Sequence, residues 1–534
     1  MLLSAAAGLV LSLAYVGPSW PELALFAPAA LLFFAAQATV SRAALSGAAF
    51  GAAFSAVALA WVGAVTWLGW AALVAAFAAS FAALGAAVSL ATARGLVVRL
   101  VAPPTLLALE LVRARVFTGF PWLFLGHALS DRLALVQIAD LGGAYAVSYV
   151  AALWCSGLAD AARESLQARA IGRSMVRAAA GAMAPALVAL CATAAYGAAR
   201  LALVRTDEGP RLLLVQGNID TPRAAASAQA AEEVDLEIWR VHEELSRAHA
   251  SGAELVVWSE SMLPGYYNDP ADPDAELWRR KLAALLGELG RPLLAGSNAT
   301  GPHPLVRASG PPRPGRLDYN SAFLVAPDGS ILGRYDKMHL VPFGEYVPLA
   351  RWPLFARLTP YAAEDPGYAH GDPGQPLMEF AGRRFGVLIC YEDAFAELAA
   401  RAARMGAEFL VNLSSEAWFA GTAEIPQHFR ISRFRAVEMR MPLVRCCNVG
   451  VTAVIDPAGR VTGRLEGGDS PGGARGALLA VVPLAAGARS LTPYARLGDL
   501  APLALVGAHA VAAAAVISSR KRRARGVGAP GACG

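Results

Sequence analysis

Residues 334–345 read RYDKMHLVPFGE, and the lysine at position 337 is the most informative residue among them. The chain of 534 residues has 46 lysines and arginines, of which only Lys281, Lys337 and Lys521 are lysines. An ammonium is a compact charge whose pKa responds to burial, whereas a guanidinium stays charged and forked. Lysine also serves catalysis by activating nucleophiles or stabilising a developing oxyanion. Lys337 is therefore a candidate catalytic cation, with an ordinary surface lysine as the alternative.

Segments typical of strands and helices alternate around this run. The turn Ala326-Pro-Asp-Gly329 lies between 321–325 and 331–335, which predicts a hairpin that ends just before Lys337. Further strand segments are 211–216, 254–258, 292–295, 385–389 and 408–411, and the helical segments are 231–251, 274–290, 395–405 and 427–440. Apolar strands that alternate with helices predict an α/β domain whose sheet is covered by helices.

Three side chains of complementary chemistry follow predicted strands: Glu260, Lys337 and Cys390. Catalytic residues tend to lie at strand ends in such folds. A carboxylate could take the proton of the Cys390 thiol, and the ammonium could stabilise the thiolate and then a tetrahedral oxyanion. The backbone N–H of Tyr391 is a second candidate oxyanion donor. This set predicts acyl transfer through a thioester.

Two alternatives for Cys390 stay open at this point. His339 and His428 lie near the same motifs, so a Cys–His dyad is possible. Cys390 could also be a buried core thiol, or form a disulfide with Cys446 or Cys447 in an oxidising compartment. No C-x-x-C pair points to a metal site, and we expect neither a metal nor a cofactor.

Long apolar runs lie at both ends of the chain, which is 56% hydrophobic and only 16% charged. A membrane span needs roughly 20 mostly apolar residues. We predict spans near 2–16, 22–40, 44–68, 70–92, 96–112, 133–158, 179–202 and 499–517. The predicted organisation is a membrane domain of about seven helices at 1–203, a catalytic domain at 204–496, a final span at 497–519 and a basic cytoplasmic tail at 520–534.

The arginines predict the orientation of these spans. Most of them share one side of the membrane if the N-terminus is cytoplasmic: Arg42, Arg94, Arg99, Arg163, Arg169, Arg173, Arg177 and those of the tail. The globular domain then faces outward, which in a bacterium means the periplasm or the outer membrane face. We expect a multi-pass protein of the inner membrane whose catalytic domain faces the periplasm. The net charge of +5 is small for this length, and we expect no nucleic-acid partner.

Four motifs together carry a family resemblance. They are Trp258-Ser-Glu260, Tyr335-Asp-Lys337-Met-His339, the run from Leu340 to Pro348, and Ile389-Cys390-Tyr391-Glu392. These motifs resemble the nitrilase superfamily and its Glu–Lys–Cys triad. Together with the membrane spans, the whole chain resembles one branch of it, the apolipoprotein N-acyltransferases.

The resemblance implies a multi-span α-helical membrane bundle plus an α/β nitrilase-like domain, an α-β-β-α sandwich. It implies transfer of an acyl chain from a membrane phospholipid to the α-amino group of an apolipoprotein's N-terminal diacylglyceryl-cysteine. In that reaction Cys390 is the nucleophile that forms a thioester, Glu260 the general base and Lys337 the oxyanion stabiliser. Supporting or substrate-binding positions are Glu345, Tyr391 and Glu392.

We further expect a monomer, and two other functions stay open. One is a membrane-tethered amidase of nitrilase type with water as the acceptor. The other is a catalytically inactive nitrilase-like scaffold.

Some loops depart from the family pattern although the triad is intact. Ser415-Glu416 replaces the usual Asn-Asp before Ala-Trp-Phe, and Asn448-Val449-Gly450 replaces Asn-Asn-Gly or Asn-Thr-Gly. The run 220–223 also differs from the family's Pro-Gln. Two aromatic loops, 263–267 and 352–355, are candidates to contact the membrane interface or an acyl chain, with ordinary packing as the alternative.

Overall fold

The computed structural model describes residues 1–17, 19–222, 227–302, 317–346, 367–467, 473–487 and 490–526. The chain forms two compact units, one of Met1–Leu203 with Leu497–Gly534 and one of Val204–Arg496. The aromatic loop predicted at 352–355 and the end of the motif at Pro348 lie outside the described residues, as does Arg223.

The first unit is helical. Its helices are α1 (Leu2–Ser12), α2 (Ala27–Ala35), α3 (Val40–Ala58), α4 (Trp67–Ala93), α5 (Val98–Arg115), α6 (Leu133–Val136), α7 (Ala139–Ala170), α8 (Met175–Leu203) and a C-terminal helix (Leu500–Gly526). Helices α3 and α4 pack at very close range because small residues line their contact. A Cβ on Gly47 would lie 2.0 Å from the carbonyl oxygen of Phe81, and one on Gly85 would lie 2.3 Å from that of Ala43. Such close backbone approach is typical of helix pairs in membranes.

Among the described residues, five helices are long and apolar enough to cross a membrane: α3, α4, α7, α8 and Leu500–Ser519. The spans predicted at 2–16, 22–40 and 96–112 correspond to α1, α2 and α5. Of these, α1 and α2 are shorter than a span requires, and α5 carries Arg99, Glu110, Arg113 and Arg115. The number of membrane crossings therefore stays a prediction.

The second unit contains two six-stranded sheets in its described part. Its strands are β1 (Thr206–Gln216), β2 (Leu255–Tyr266), β3 (Leu293–Thr300), β4 (Asp318–Val325), β5 (Ile331–Asp336), β6 (Met378–Phe380), β7 (Arg383–Ile389), β8 (Phe409–Ser414), β9 (Leu443–Cys447), β10 (Ala453–Ile455), β11 (Val461–Arg464) and β12 (Gly476–Ala485). The strand orders are β12-β1-β2-β3-β4-β5 and β11-β10-β9-β8-β7-β6. In each sheet three central strands are parallel, β1–β2–β3 in one and β7–β8–β9 in the other, and the remaining pairs are antiparallel.

The predicted hairpin is confirmed, since β4 and β5 pair antiparallel on either side of the turn at 326–329. Apolar residues of the two sheets form one shared core, in which Val257 and Leu214 of the first sheet join Phe385 and Val411 of the second. The two sheets therefore lie face to face, with a spacing set by these side chains.

Helices cover the outer face of each sheet. They are α9 (Ala228–His249), α10 (Pro273–Leu289), α11 (Ala396–Arg404), α12 (Glu424–Met439) and α13 (Pro493–Leu497). In α9 the buried Val234, Ile238 and Val241 recur at helical spacing and pack on the first sheet. Ala399 of α11 and Met439 of α12 pack on the second. This α-β-β-α arrangement confirms the predicted fold class.

Candidate active site

Glu260 projects from an irregular part of β2. The pairing of β2 with β3 shifts register between Trp258 and Leu263, and Ser261 has a left-handed φ of 58°. Opposite this irregularity, a Cβ on Gly296 would lie 2.6 Å from the Glu260 Cα. Bulges of this kind change the direction of a side chain and are frequent next to active sites. The backbone conformation that directs the Glu260 carboxylate therefore requires glycine at position 296.

Lys337 follows β5 and is enclosed, with a side chain only 1% exposed. Its Nζ lies 2.8 Å from Glu345 Oε1 and 3.3 Å from Glu260 Oε1. Burial acts to lower the pKa of Lys337, but the charges of Glu345 and Glu260 outweigh it and hold the pKa well above its usual value. Lys337 is therefore an ammonium at neutral pH, fixed between two carboxylates.

Asn320 of β4 completes this cluster and was missed as a site residue by the sequence analysis. Its Nδ2 donates to Glu260 Oε1 at 2.9 Å and to Glu345 Oε1 at 2.8 Å. Its backbone carbonyl accepts from the backbone N–H of Lys337 at 2.8 Å. Glu345 is held further by the Val341 N–H, which donates to its Oε2 at 2.7 Å. The available signal was position, because Asn320 lies on the strand of the hairpin that pairs with β5.

Cys390 comes directly after β7 and opens a short 3-10 turn, Cys390–Ala394, with a left-handed φ of 51°. Such a sharp turn from strand to helix presents a nucleophile to a substrate. The side chain is partly exposed, and Asn412 Nδ2 donates to the Cys390 carbonyl at 3.1 Å. Burial in the surrounding protein and the charge of Glu260 raise the pKa of Cys390 to about 12. The resting residue is thus a thiol, and its attack on a carbonyl requires a base.

Glu392 connects the Cys390 turn to the Lys337 segment. Its Oε1 accepts from the N–H groups of Met338 and His339 at 2.7 and 3.0 Å. Its Oε2 accepts from the Ile389 N–H at 2.8 Å and from the Tyr335 hydroxyl at 2.9 Å. Burial raises the pKa of Glu392 to about 7, while these donors oppose the rise. The Glu392 side chain therefore holds these two segments in place, and we do not expect it to be a reacting group.

Aromatic side chains surround Tyr391. Its ring meets Phe395 edge-on with centroids 5.0 Å apart and lies 5.9 Å from the His339 ring. His339 itself packs on Phe395. These rings form an aromatic cluster beside the turn that begins at Cys390.

The contacts of His428, Cys446 and Cys447 bear on the alternative roles of Cys390. His428 directs its Nε2 to Asp393 Oδ1 at 2.6 Å and its Nδ1 to Glu416 Oε1 at 2.7 Å, so both ring nitrogens face carboxylates rather than Cys390. Cys390 and Cys446 are free thiols, as is Cys447, so the disulfide alternative is not realised. Among the described residues, Glu416, Glu424 and His428 are the group with metal-ligand spacing.

The six predicted site residues thus divide into two groups. Glu260, Lys337 and Glu345 meet through direct ion pairs, with Cys390 within their electrostatic range. Tyr391 and Glu392 follow the thiol on its own turn. A carboxylate, an ammonium and a thiol are the groups that deprotonation of a sulfur nucleophile and stabilisation of an oxyanion require.

Comparison with known proteins places the chain in a family. Residues 7–157 match the family model of the apolipoprotein N-acyltransferase N-terminal domain, and residues 215–472 match that of carbon-nitrogen hydrolases. Among solved structures, an amidase of the nitrilase superfamily from Nesterenkonia is similar at 20% identity and a TM-score of 0.34, covering 53% of this chain and 93% of the amidase.

Curated relatives match both parts of the chain. The apolipoprotein N-acyltransferase of Geobacter metallireducens is 36% identical over 376 residues, which cover 69% of this chain and 66% of the relative. Those of Bradyrhizobium diazoefficiens and Bordetella bronchiseptica are 34% and 35% identical, covering 78% of this chain and 72% and 73% of the relatives. The chain therefore belongs to the apolipoprotein N-acyltransferase family.

Proposed function

We propose that this enzyme moves an acyl chain from a membrane phospholipid to the α-amino group of an apolipoprotein's N-terminal diacylglyceryl-cysteine, through a thioester on Cys390. The observation that carries the proposal is the enclosed Lys337 ammonium, 2.8 Å from Glu345 and 3.3 Å from Glu260, next to a thiol on a sharp turn. A fixed cation, a base and a sulfur nucleophile are the parts that acyl transfer needs.

In the first half-reaction Glu260 takes the proton of the Cys390 thiol as sulfur attacks the ester carbonyl. The carbonyl oxygen becomes an oxyanion, and Lys337 is the donor that stabilises it. When the tetrahedral intermediate collapses, the carbon–oxygen bond to glycerol breaks. Glu260 returns its proton to the leaving alkoxide, which yields a lysophospholipid and the thioester.

In the second half-reaction the lipoprotein amine attacks the thioester carbonyl. Glu260 now takes a proton from the amine, and Lys337 again stabilises the oxyanion. The carbon–sulfur bond then breaks, the amide is released, and the Cys390 thiolate takes the proton back from Glu260. Glu345 and Asn320 take no proton in this scheme; they fix the position of the ammonium and the base.

The resulting enzyme is a monomer of the bacterial inner membrane whose catalytic unit faces the periplasm. Five helices with the length and composition of membrane spans support the membrane setting, and the bias of arginines toward one side supports the orientation. A lipid-side location would also help to keep water from the thioester.

Mass spectrometry of lipoproteins from cells with and without the enzyme tests this function. We expect an amide-linked third acyl chain on N-terminal cysteine that depends on the wild-type protein and is lost with Cys390→Ala. The matched control is Cys446→Ala, which removes a free thiol from the core between the sheets. An unchanged third chain in cells that carry only the Cys390→Ala protein would refute the proposal. Release of free fatty acid without the amide would instead indicate that water, and not the lipoprotein amine, accepts the acyl group.

A further inference from the structure

A second cluster of charged side chains takes no part in the chemistry derived above. Its members are almost fully buried: Asp393, Glu416, Glu424, His428 and Arg445. His428 Nε2 lies 2.6 Å from Asp393 Oδ1, and its Nδ1 lies 2.7 Å from Glu416 Oε1. A neutral imidazole has one N–H donor, so donation to both carboxylates requires the imidazolium form.

The charges in this cluster balance when His428 is protonated. Arg445 pairs with the same Glu416 oxygen as His428, and its Nε lies 3.8 Å from Asp393 Oδ2. Burial acts to lower the pKa of His428, but the carboxylates of Asp393 and Glu416 outweigh it and hold the pKa well above its usual value. Burial raises the pKa of Glu424 to about 7. Below that pH, two cations face two carboxylates and one neutral carboxyl.

The cluster joins the turn that carries the nucleophile to the segment that hydrogen-bonds the base. Asp393 belongs to the 3-10 turn Cys390–Ala394. Glu416 follows Ser415, whose backbone N–H donates to Glu260 Oε2 at 3.0 Å. His428, on α12, therefore bridges the two segments at 2.6 and 2.7 Å, and Arg445 contacts the same two carboxylates.

We propose that His428 is a positioning residue for acyl transfer: as a buried imidazolium it ties the Cys390 turn to the segment that fixes Glu260, and places positive charge on the nucleophile's side. This rests on the proposed role of Cys390 as the nucleophile. The positive charge of His428 affects the Cys390 thiol. His428 and Lys337 both lower the pKa of Cys390, whereas burial and the charge of Glu260 raise it.

The same groups have the spacing of a metal site, since the ligand atoms of Glu416, Glu424 and His428 lie within 4.8 Å of one another. The Arg445 guanidinium, however, pairs with Glu416 Oε1 and lies 3.1 Å from His428 Nδ1. A metal ion there would face this guanidinium, so the geometry points to ion pairs. Stoichiometric metal in the purified wild-type protein, absent from a His428→Gln variant, would overturn the proposal.

The test measures alkylation of Cys390 by iodoacetamide against pH in the full-length, detergent-solubilised protein, with the Cys390 peptide followed by mass spectrometry. His428→Gln should move the titration midpoint upward and slow alkylation at pH 8 about tenfold, the effect of one pKa unit. A role in packing alone would leave the midpoint where it is in the wild type. An unchanged midpoint in a folded His428→Gln protein therefore overturns the proposal.

His242 offers a matched control because it is also fully buried, with Nδ1 2.8 Å from the Ile238 carbonyl. Burial lowers the pKa of His242 to about 4, so it carries no charge at neutral pH. His242→Gln should leave the alkylation midpoint of Cys390 at its wild-type value, and an equal shift in both variants would count against His428.

The single substitution leaves Asp393 without its closest cation, so a double variant guards against misfolding. Asp393→Asn with His428→Gln removes one charge of each sign and keeps groups that can hydrogen-bond. This protein should unfold near the wild-type temperature, yet form the thioester at least about tenfold more slowly because the charged bridge is gone. Wild-type thioester formation in the double variant would overturn the proposal. Since alkylation needs no lipid, failure of wild-type protein to form a thioester is a separate result that contradicts the proposed function alone.

Discussion

Replacing Lys337 probes the site most sharply, because its ammonium can be removed or merely reshaped. Lys337→Met keeps the length of the side chain and removes the charge. The buried Glu260 and the partly buried Glu345 then lose their shared cation and keep the Asn320 amide, whose Nδ2 lies 2.9 and 2.8 Å from them, as the donor common to both. Removing one partner of a buried ion pair costs about 3–5 kcal/mol of stability. Loss of an oxyanion donor lowers the rate by about 10²–10³.

Lys337→Arg keeps the charge and changes the shape. The wild-type side chain is 1% exposed, so the larger guanidinium has no solvent-filled space to enter. Overpacking of this kind costs about 1–3 kcal/mol and moves neighbouring groups. We therefore expect thioester formation to fall at least about 100-fold in both variants, in line with the loss of one oxyanion donor. Lys281→Arg is the control, since Lys281 lies 4.6 Å over the ring of Trp278 in α10 and should tolerate the change.

The assay is the rate of thioester formation on phospholipid vesicles, with thermal unfolding of the same preparations as the measure of folding. The pKa of Lys337 is raised in the folded protein, so its stabilising effect is complete below about pH 10.4, the ordinary lysine pKa. It is lost only as pH rises through the higher folded value. Near wild-type acylation by folded Lys337→Arg would refute the argument, because it would show that charge alone suffices.

Three further substitutions test separate parts of the site. Glu260→Gln should slow thioester formation about 10²–10⁴-fold by removing the base. It should also speed alkylation of Cys390 by iodoacetamide, because the Glu260 charge raises the pKa of that thiol. Slower alkylation in a folded variant would contradict this prediction. Asn320→Ala should cost about 1–3 kcal/mol in unfolding free energy, since the buried Glu260 and the partly buried Glu345 lose a donor. An unchanged denaturant midpoint would count against this prediction. Gly450→Ala should lower the free energy of unfolding by about 1–3 kcal/mol. A Cβ there would lie 2.3 Å from Oε2 of the buried Glu416, and the residue has a φ of 129°. Gly287→Ala is the control, because the nearest atom to its Cβ would be 3.8 Å away.

Local sequence was sufficient for five of the six parallel strands, all except β9, and for the covering helices α9 to α12. Residues 212–215 and 385–389 are apolar and buried, and they lie in β1 and β7. Two features were not accessible in this way. β1 begins at Thr206 because it pairs with β12, where Thr206 lies opposite Ala485. β12 itself was not predicted, since it contains Pro483, which an edge strand tolerates.

The site residues divide on the same physical ground. Glu260, Lys337 and Cys390 each follow a predicted apolar strand, and the scarcity of lysine and the family motifs also directed attention to them. Asn320 and His428 act through partners that are distant in the chain, since Asn320 and Glu260 are 60 positions apart and His428 and Asp393 are 35 positions apart. Such contacts depend on strand pairing and helix packing, which a single sequence does not specify.

The departure from the family pattern at Ser415-Glu416 has a structural explanation. Ser415 serves the site through its backbone N–H, which donates to Glu260 and does not depend on the side chain. Glu416 still places a carboxylate on Arg445 and His428. Valine at position 449, where the family has Asn or Thr, keeps the backbone contact. The Val449 carbonyl accepts from the Glu416 N–H at 3.0 Å, and this bond does not depend on the side chain.

The most direct measurement of the central claim is the mass of the Cys390 peptide after purified protein meets phospholipid vesicles. A thioester would add one acyl chain at Cys390, be cleaved by hydroxylamine, and disappear when a diacylglyceryl-cysteine peptide is supplied. We expect this cycle for the wild type and no adduct for Cys390→Ala. Amide formation on the acceptor peptide by protein that never carries an acyl group on Cys390 would contradict it.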